Sequence, residues 1–189
     1  MNNGMIDGPA SIILAILAIS VAFNLFLTLR LTRIVGDNEY LKTSTTLPIG
    51  QPLPAFSGRA FSDGRHLRSQ EFLGQASVLL FFAPECKDCQ ARVKEISAMY
   101  PAMRAADVGI RVIASISKRR IREFLKDSPL LVHVVLVSGA AQQALNPRNS
   151  APFYIFVDHE NKVLASNFIG DEDWLSFCEQ MREAAPADH

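Results

Sequence analysis

The chain has 189 residues, 49% of them hydrophobic, with 19 Lys and Arg against 19 Asp and Glu. That length fits one globular domain plus an accessory segment. Balanced charge excludes the general electrostatic attraction by which basic domains hold nucleic acid, so none is expected as a partner.

Residues 1–9 form a short tail. From Ala10 to Leu29 no residue is charged, and about 20 apolar helical residues span the ~30 Å hydrocarbon core of a bilayer. The expected organisation is a transmembrane helix over 10–31, a tether over 32–48 and a soluble domain over 49–189. A cleaved signal peptide would want a basic start and a small-x-small site. Here the tail carries Asp7 and no Lys or Arg, and Arg30-Leu31-Thr32-Arg33 succeeds the apolar run, so the segment reads as an uncleaved anchor with the lipid bilayer as partner. Arg30 and Arg33 favour a cytoplasmic location for the soluble domain. Ile34 to Thr46 is polar and has the composition of a linker.

The prolines of Leu47-Pro48-Ile49-Gly50-Gln51-Pro52-Leu53-Pro54 set an extended start. Asp63-Gly64 is a hairpin turn signal between Phe56–Phe61 and the segment after Arg65. Ala76 to Phe82 is a continuous apolar run, expected as a strand covered on both faces. Pro84 keeps Ala83 out of a helix. Beyond it Val93, Ile96, Met99 and Met103 recur at helical intervals, with Pro101 marking an end or kink. Ile110–Ile116 reads as a strand, and Ser117 caps a helix over Lys118–Lys126 whose basic residues form a solvated face. Leu130–Val137 reads as a strand that includes His133, Ala140–Leu145 as a short helix, and Phe153–Val157 as a strand. Asp158-His159-Glu160-Asn161 turns into Lys162–Ser166, giving an antiparallel hairpin. A last helix over Asp173–Glu183 turns Trp174, Phe177, Cys178 and Met181 inward. Strands alternating with helices and ending in a hairpin define an α/β sandwich with a mixed sheet.

Cys86 and Cys89 stand two residues apart where the apolar strand runs into a helix. Unpaired N–H groups and the positive dipole of a first helical turn stabilise a thiolate, and a spacing of three places both sulfurs on one helix face. Cys86 is therefore the expected attacking thiol and Cys89 the resolving one, in thiol-disulfide exchange. Structural zinc would need two further ligands. Cys178 stands alone and His66, His133, His159 and His189 lack paired spacing, so no metal is expected, and no cofactor beyond the redox-active pair Cys86–Cys89 itself. Cys178 lies on an apolar stripe and reads as core.

The strand ending at Cys-x-x-Cys, followed by Ala151-Pro152-Phe153-Tyr154-Ile155-Phe156-Val157-Asp158 and Glu160-Asn161-Lys162-Val163, resembles membrane-anchored thioredoxin-like proteins of the TlpA/ResA type. The similarity covers roughly 49–181. The anchor, the tether and the lead-in Leu79-Leu80-Phe81-Phe82-Ala83-Pro84 look most like the methylamine-utilisation accessory, MauD-like, branch. The resemblance implies a thioredoxin-like sandwich and a cis peptide at Pro152 beside the dithiol, with the Ala151 backbone free to pair with an extended substrate strand. It also implies a periplasmic or extracytoplasmic domain, protein disulfides as substrates, and a membrane electron donor or small thiol.

Three positions depart from the family pattern. Glu85 stands where relatives usually have Trp, Leu80 where many have a buried acid, and Lys87-Asp88 between the cysteines where a proline is common. Glu85 should disfavour the Cys86 thiolate while Lys87 and the helix start favour it. The two effects largely cancel, which points to a reductase or electron carrier rather than a strong oxidant. Two alternatives belong to other classes. A peroxiredoxin-like thiol peroxidase shares the fold but would call for a Pro-x-x-x-Thr-x-x-Cys motif, whose Thr is missing here. A noncatalytic Cu(I)-binding assembly factor would use the two thiolates as soft ligands.

Overall fold

The computed structural model describes residues 14, 16–26 and 47–184. The chain divides into two compact units, 1–44 and 45–189. In the first, the described residues are helical and exposed, with Leu14, Leu17, Val21 and Phe26 each more than half accessible. No helix among the described residues is long and apolar enough to cross a membrane. The tail 1–9, both ends of the expected transmembrane helix 10–31 and the tether up to residue 46 lie outside the described residues.

The second unit is built on a seven-stranded mixed sheet. Its strands are β1 (Ser57–Ala60), β2 (His66–Arg68), β3 (Ser77–Phe81), β4 (Gly109–Ala114), β5 (Val134–Val137), β6 (Phe153–Val157) and β7 (Val163–Phe168), in the order β2-β1-β5-β4-β3-β6-β7. The central trio β3, β4 and β5 is parallel, and β1 and β6 flank it antiparallel. Four helices complete the domain: α1 (Lys87–Ala105), α2 (Lys118–Leu125), α3 (Gly139–Leu145) and α4 (Glu172–Glu183).

The period-2 alternation of the central strands splits the core in two. Val78, Leu80 and Val112 point to the side covered by Val93 and Ile96 of α1 and by Trp174 and Met181 of α4. Leu79, Phe81 and Ile113 point to the other side, against Phe72 and Leu145. All five residues of β3 are buried, the apolar run Val78–Phe81 together with Ser77.

The hairpin at Asp63-Gly64 forms as expected, with Ser57 opposite Arg68 and Gly64 at a φ of 76° that favours glycine. Two expectations are corrected. Pro101 does not end α1, which continues four residues to Ala105. A mid-helix proline costs about 3 kcal/mol, and burial of Ala102 and Met103 in the core just beyond it offsets much of that, at roughly 1.5–3 kcal/mol for a large side chain. Leu130–Val137 is not one strand. Pro129–His133 is a 3-10 turn and only Val134–Val137 joins the sheet. Ser128 caps that turn, its hydroxyl accepting the Leu130 N–H at 3.2 Å, and Pro129 fits the first helical position. Periodicity cannot separate these choices in a short apolar run.

Candidate active site at the end of β3

β3 ends at Phe81, and the next five residues form the loop that leads to α1 and ends on Cys86. Phe82 tucks its ring 6.1 Å from that of Phe124 on α2. A turn closed by the Cys86 N–H to the Ala83 carbonyl, 3.0 Å, brings the chain round to α1. Cys86 is the N-cap of that helix, with extended backbone, rather than a residue of its first turn. Its sulfur accepts the Cys89 N–H at 3.2 Å, one of the amides that a helix start leaves without an intrahelical partner.

Cys86 is partly exposed and Cys89 fully buried behind it; both are free thiols. The Cys89 sulfur accepts the Ala83 N–H at 3.5 Å. Burial pushes the Cys89 thiol from 9.0 up to about 12, the Ala83 N–H works against that rise, and Cys86 and Asp88 add to it. The pair is thus asymmetric: Cys86 is partly exposed, whereas Cys89 is buried and its thiol is pushed up.

Glu85 forms an ion pair with Arg120 of α2. The carboxylate that sequence alone sets against Lys87 is balanced by a cation 35 positions away, and Lys87 itself lies exposed. No local spacing could have announced this contact. The other basic residues of α2 are also engaged: Arg119 pairs with Glu123, and Lys118 and Arg122 lie 4.8 and 5.5 Å from the Phe61 ring centre. Between α1 and α2 a groove of about 710 Å³ opens beside the dithiol, lined by Pro84, Glu85, Val93, Lys94, Arg120 and Phe124 among others.

The Ala151–Pro152 peptide is cis, as the resemblance implies. Phe153 is the cross-strand partner of Phe81, so Ala151 and Pro152 reach the sheet at the end where the dithiol loop leaves it. Both are half-buried.

Leu80, in place of an acid, is fully buried. Its partner across the sheet is Tyr154, whose hydroxyl donates to Asp171 at 3.0 and 3.1 Å. Asp171 also caps α4 through the Trp174 N–H, 2.9 Å, so it holds sheet and helix together. Sequence spacing does not disclose this pair, because Asp171 lies outside the family motifs and 17 positions beyond Tyr154.

Cys178 is buried, 3.9 Å from Glu95 on α1, and its thiol is pushed up to about 11 by burial first and then by Glu95. Glu95 stands nine residues beyond Cys86, roughly 13 Å along the helix axis, so Cys178 packs α4 on α1 and does not reach the dithiol from there. His133 accepts or donates a hydrogen bond with the Tyr100 hydroxyl at 2.8 Å; burial, then Arg111 and Arg104, hold it below the usual imidazole range. Among the described residues no three His, Cys, Asp or Glu side chains gather as metal ligands.

This sheet, with a Cys-x-x-Cys at the start of its first long helix and a cis-proline just ahead of the neighbouring strand, defines a thioredoxin-like fold. Residues 49–176 match the model of the AhpC/TSA family, and the chain belongs to that family. The structure is similar to that of a candidate protein disulfide isomerase from Bacteroides thetaiotaomicron, with 20% identity, a TM-score of 0.63, and 75% of this chain and 92% of that one covered. A thiol:disulfide interchange protein from Bacteroides sp. gives 18%, 0.60, 76% and 96%. A thioredoxin-family thiol:disulfide interchange protein from Chlorobium tepidum gives 19%, 0.58, 74% and 99%. No curated protein matches the chain.

Proposed function

We propose that the protein is a membrane-tethered thiol-disulfide oxidoreductase that reduces or isomerises disulfides of partner proteins. The observation that carries this reading is the asymmetric dithiol. Cys86 caps α1 and is partly exposed, and Cys89 is buried behind it. The Cys86 thiolate attacks one sulfur of a substrate disulfide, forming a mixed disulfide and releasing the other sulfur as a thiolate. Cys89, giving up its proton, then attacks the Cys86 sulfur, which expels the substrate's second thiolate and leaves Cys86–Cys89 oxidised. Two electrons have passed to the substrate, and a membrane donor or a small thiol restores the dithiol. Ala151 and Pro152, just ahead of β6 at the dithiol end of the sheet, offer backbone to an extended substrate segment.

Tethering rests on the uncharged run Ala10–Leu29 and on the apolar side chains that its described helical residues expose. The domain is extracytoplasmic in this reading, against the bias of Arg30 and Arg33, and serves maturation of a disulfide-containing or cofactor-bearing enzyme, as in the MauD-like branch. A reporter fused after His189 tests orientation: activity only on the cytoplasmic side refutes it.

The test of the chemistry is Cys89→Ser, which should accumulate mixed disulfides through Cys86 under mild reduction. Absence of trapped substrate refutes the mechanism. Membership of the AhpC/TSA family favours a thiol peroxidase as the second reading, and stoichiometric peroxide consumption with a sulfenate at Cys86 would establish it instead.

A further inference from the structure

A guanidinium without a counter-ion lies on the side of the sheet turned away from α1. Arg111 is the third residue of β4, between Ile110 and Val112, which pack beneath α1. Strand alternation sends Arg111 to the opposite face, where it is half-buried, with its guanidinium carbon 4.8 Å from the centre of the Phe72 ring. One of its nitrogens donates to the Ile110 carbonyl at 2.6 Å. A guanidinium carries five N–H donors and a full charge, and no carboxylate among the described residues pairs with this one.

The cavity over Arg111 measures about 470 Å³, within the ordinary range for small-molecule sites of roughly 300–1,000 Å³. Two carboxylates line it, and both are engaged elsewhere. Asp63 accepts the Arg65 backbone N–H at 2.9 Å. Glu71 accepts the Arg68 backbone N–H at 2.8 Å and the Arg65 guanidinium at 3.2 Å. The field that reaches Arg111 is of its own sign: burial first, then Arg65, disfavour its charged form. The Phe72 ring and the Ile110 carbonyl offset part of the cost of this half-buried cation, but the fold supplies it no carboxylate partner among the described residues. Leu67, Phe72 and Val132 give the same cavity apolar walls, and Ser62 adds a hydroxyl.

We propose that this cavity binds a small organic carboxylate, its two oxygens paired with the Arg111 fork and its apolar body against Phe72, Leu67 and Val132. A planar fork matches a carboxylate in a bidentate pair, and such a pair strengthens as water is excluded. A single uncompensated cation and apolar walls suit a monoanion with a hydrocarbon part better than a free, fully hydrated phosphate. The site lies apart from the dithiol and stands whether or not the redox reading does.

The experiment uses the full chain in detergent with benzoate and inorganic phosphate as separate probes, followed by calorimetry. Saturable benzoate binding is expected, weakened on the order of tenfold or more in Arg111→Gln, with phosphate binding much more weakly. A second measurement needs no variant: benzoate should slow arginine-specific dicarbonyl labelling at Arg111, read by peptide mass spectrometry, and phosphate at the same concentration should not. Equal benzoate affinity in Arg111→Gln, unchanged labelling of Arg111, or phosphate binding as tight as benzoate overturns the proposal.

Discussion

The buried resolving thiol makes a quantitative prediction about pH. At its ordinary value of 9.0 a thiol is about 1% thiolate at pH 7, and at about 12 the thiolate fraction falls near one in 10⁵, about a thousandfold handicap on resolution of the mixed disulfide. Part of that rise comes from Cys86, and it disappears once Cys86 is tied up in a mixed disulfide. Burial, the largest cause, persists, as does the charge of Asp88. The inflection for resolution should therefore fall above 9.0 and below about 12. Reduced protein mixed with an excess aromatic disulfide in a stopped-flow instrument releases one chromophore on attack by Cys86 and a second on resolution by Cys89. The second, first-order phase should accelerate about tenfold per pH unit from 7 to 9 without levelling, and Asp88→Asn should speed it roughly twofold, the scale of an exposed charge effect. A plateau at or below pH 9 would refute the argument that burial of Cys89 governs the step.

Other perturbations test the frame around the site. Tyr154→Phe removes the hydroxyl from the Asp171 carboxylate inside the domain and should cost about 1–3 kcal/mol in urea denaturation; an unchanged midpoint would show that the pair is idle. Gly58→Ala places a methyl 2.7 Å from the Leu136 carbonyl and from a Val135 methyl, so β1 must move off β5. The expected loss is about 1–3 kcal/mol, seen as a lower thermal midpoint. His133 is held below its ordinary 6.5 by burial and by Arg111 and Arg104, so the unfolded chain takes up the proton before the folded one does. Its contribution is present above pH 6.5 and is lost as pH falls from there through the depressed value. His133→Gln should flatten acid destabilisation below pH 6.5, and an unchanged acid limb of the stability profile would contradict this.

What the chain made legible was local. The run Ala76–Phe82 forms the fully buried β3, Pro84 holds the loop out of the helix, Asp63-Gly64 makes its hairpin, and Ser117 accepts the Arg120 N–H as the cap of α2. The cis peptide at Pro152 came from family resemblance, since proline alone favours trans. What escaped depended on partners distant in sequence. Met103 in the core holds α1 together past Pro101, Ser128 and Pro129 turn an apolar run into a 3-10 segment, and Arg120 meets Glu85 across a groove. Leu80 was noted for the acid it lacks, whereas its neighbour Tyr154 and the carboxylate of Asp171 became visible only once β6 was placed beside β3.

The hydrogen bond from the Cys89 amide to the Cys86 sulfur ties backbone order to oxidation state. Bonding of the Cys86 sulfur to a second sulfur changes the acceptor of that bond, so disulfide formation at Cys86 should alter how firmly the opening of α1 is tied. Exchange of the Cys89 amide proton should therefore differ between the free dithiol and the mixed disulfide, a readout of redox state at a single backbone position.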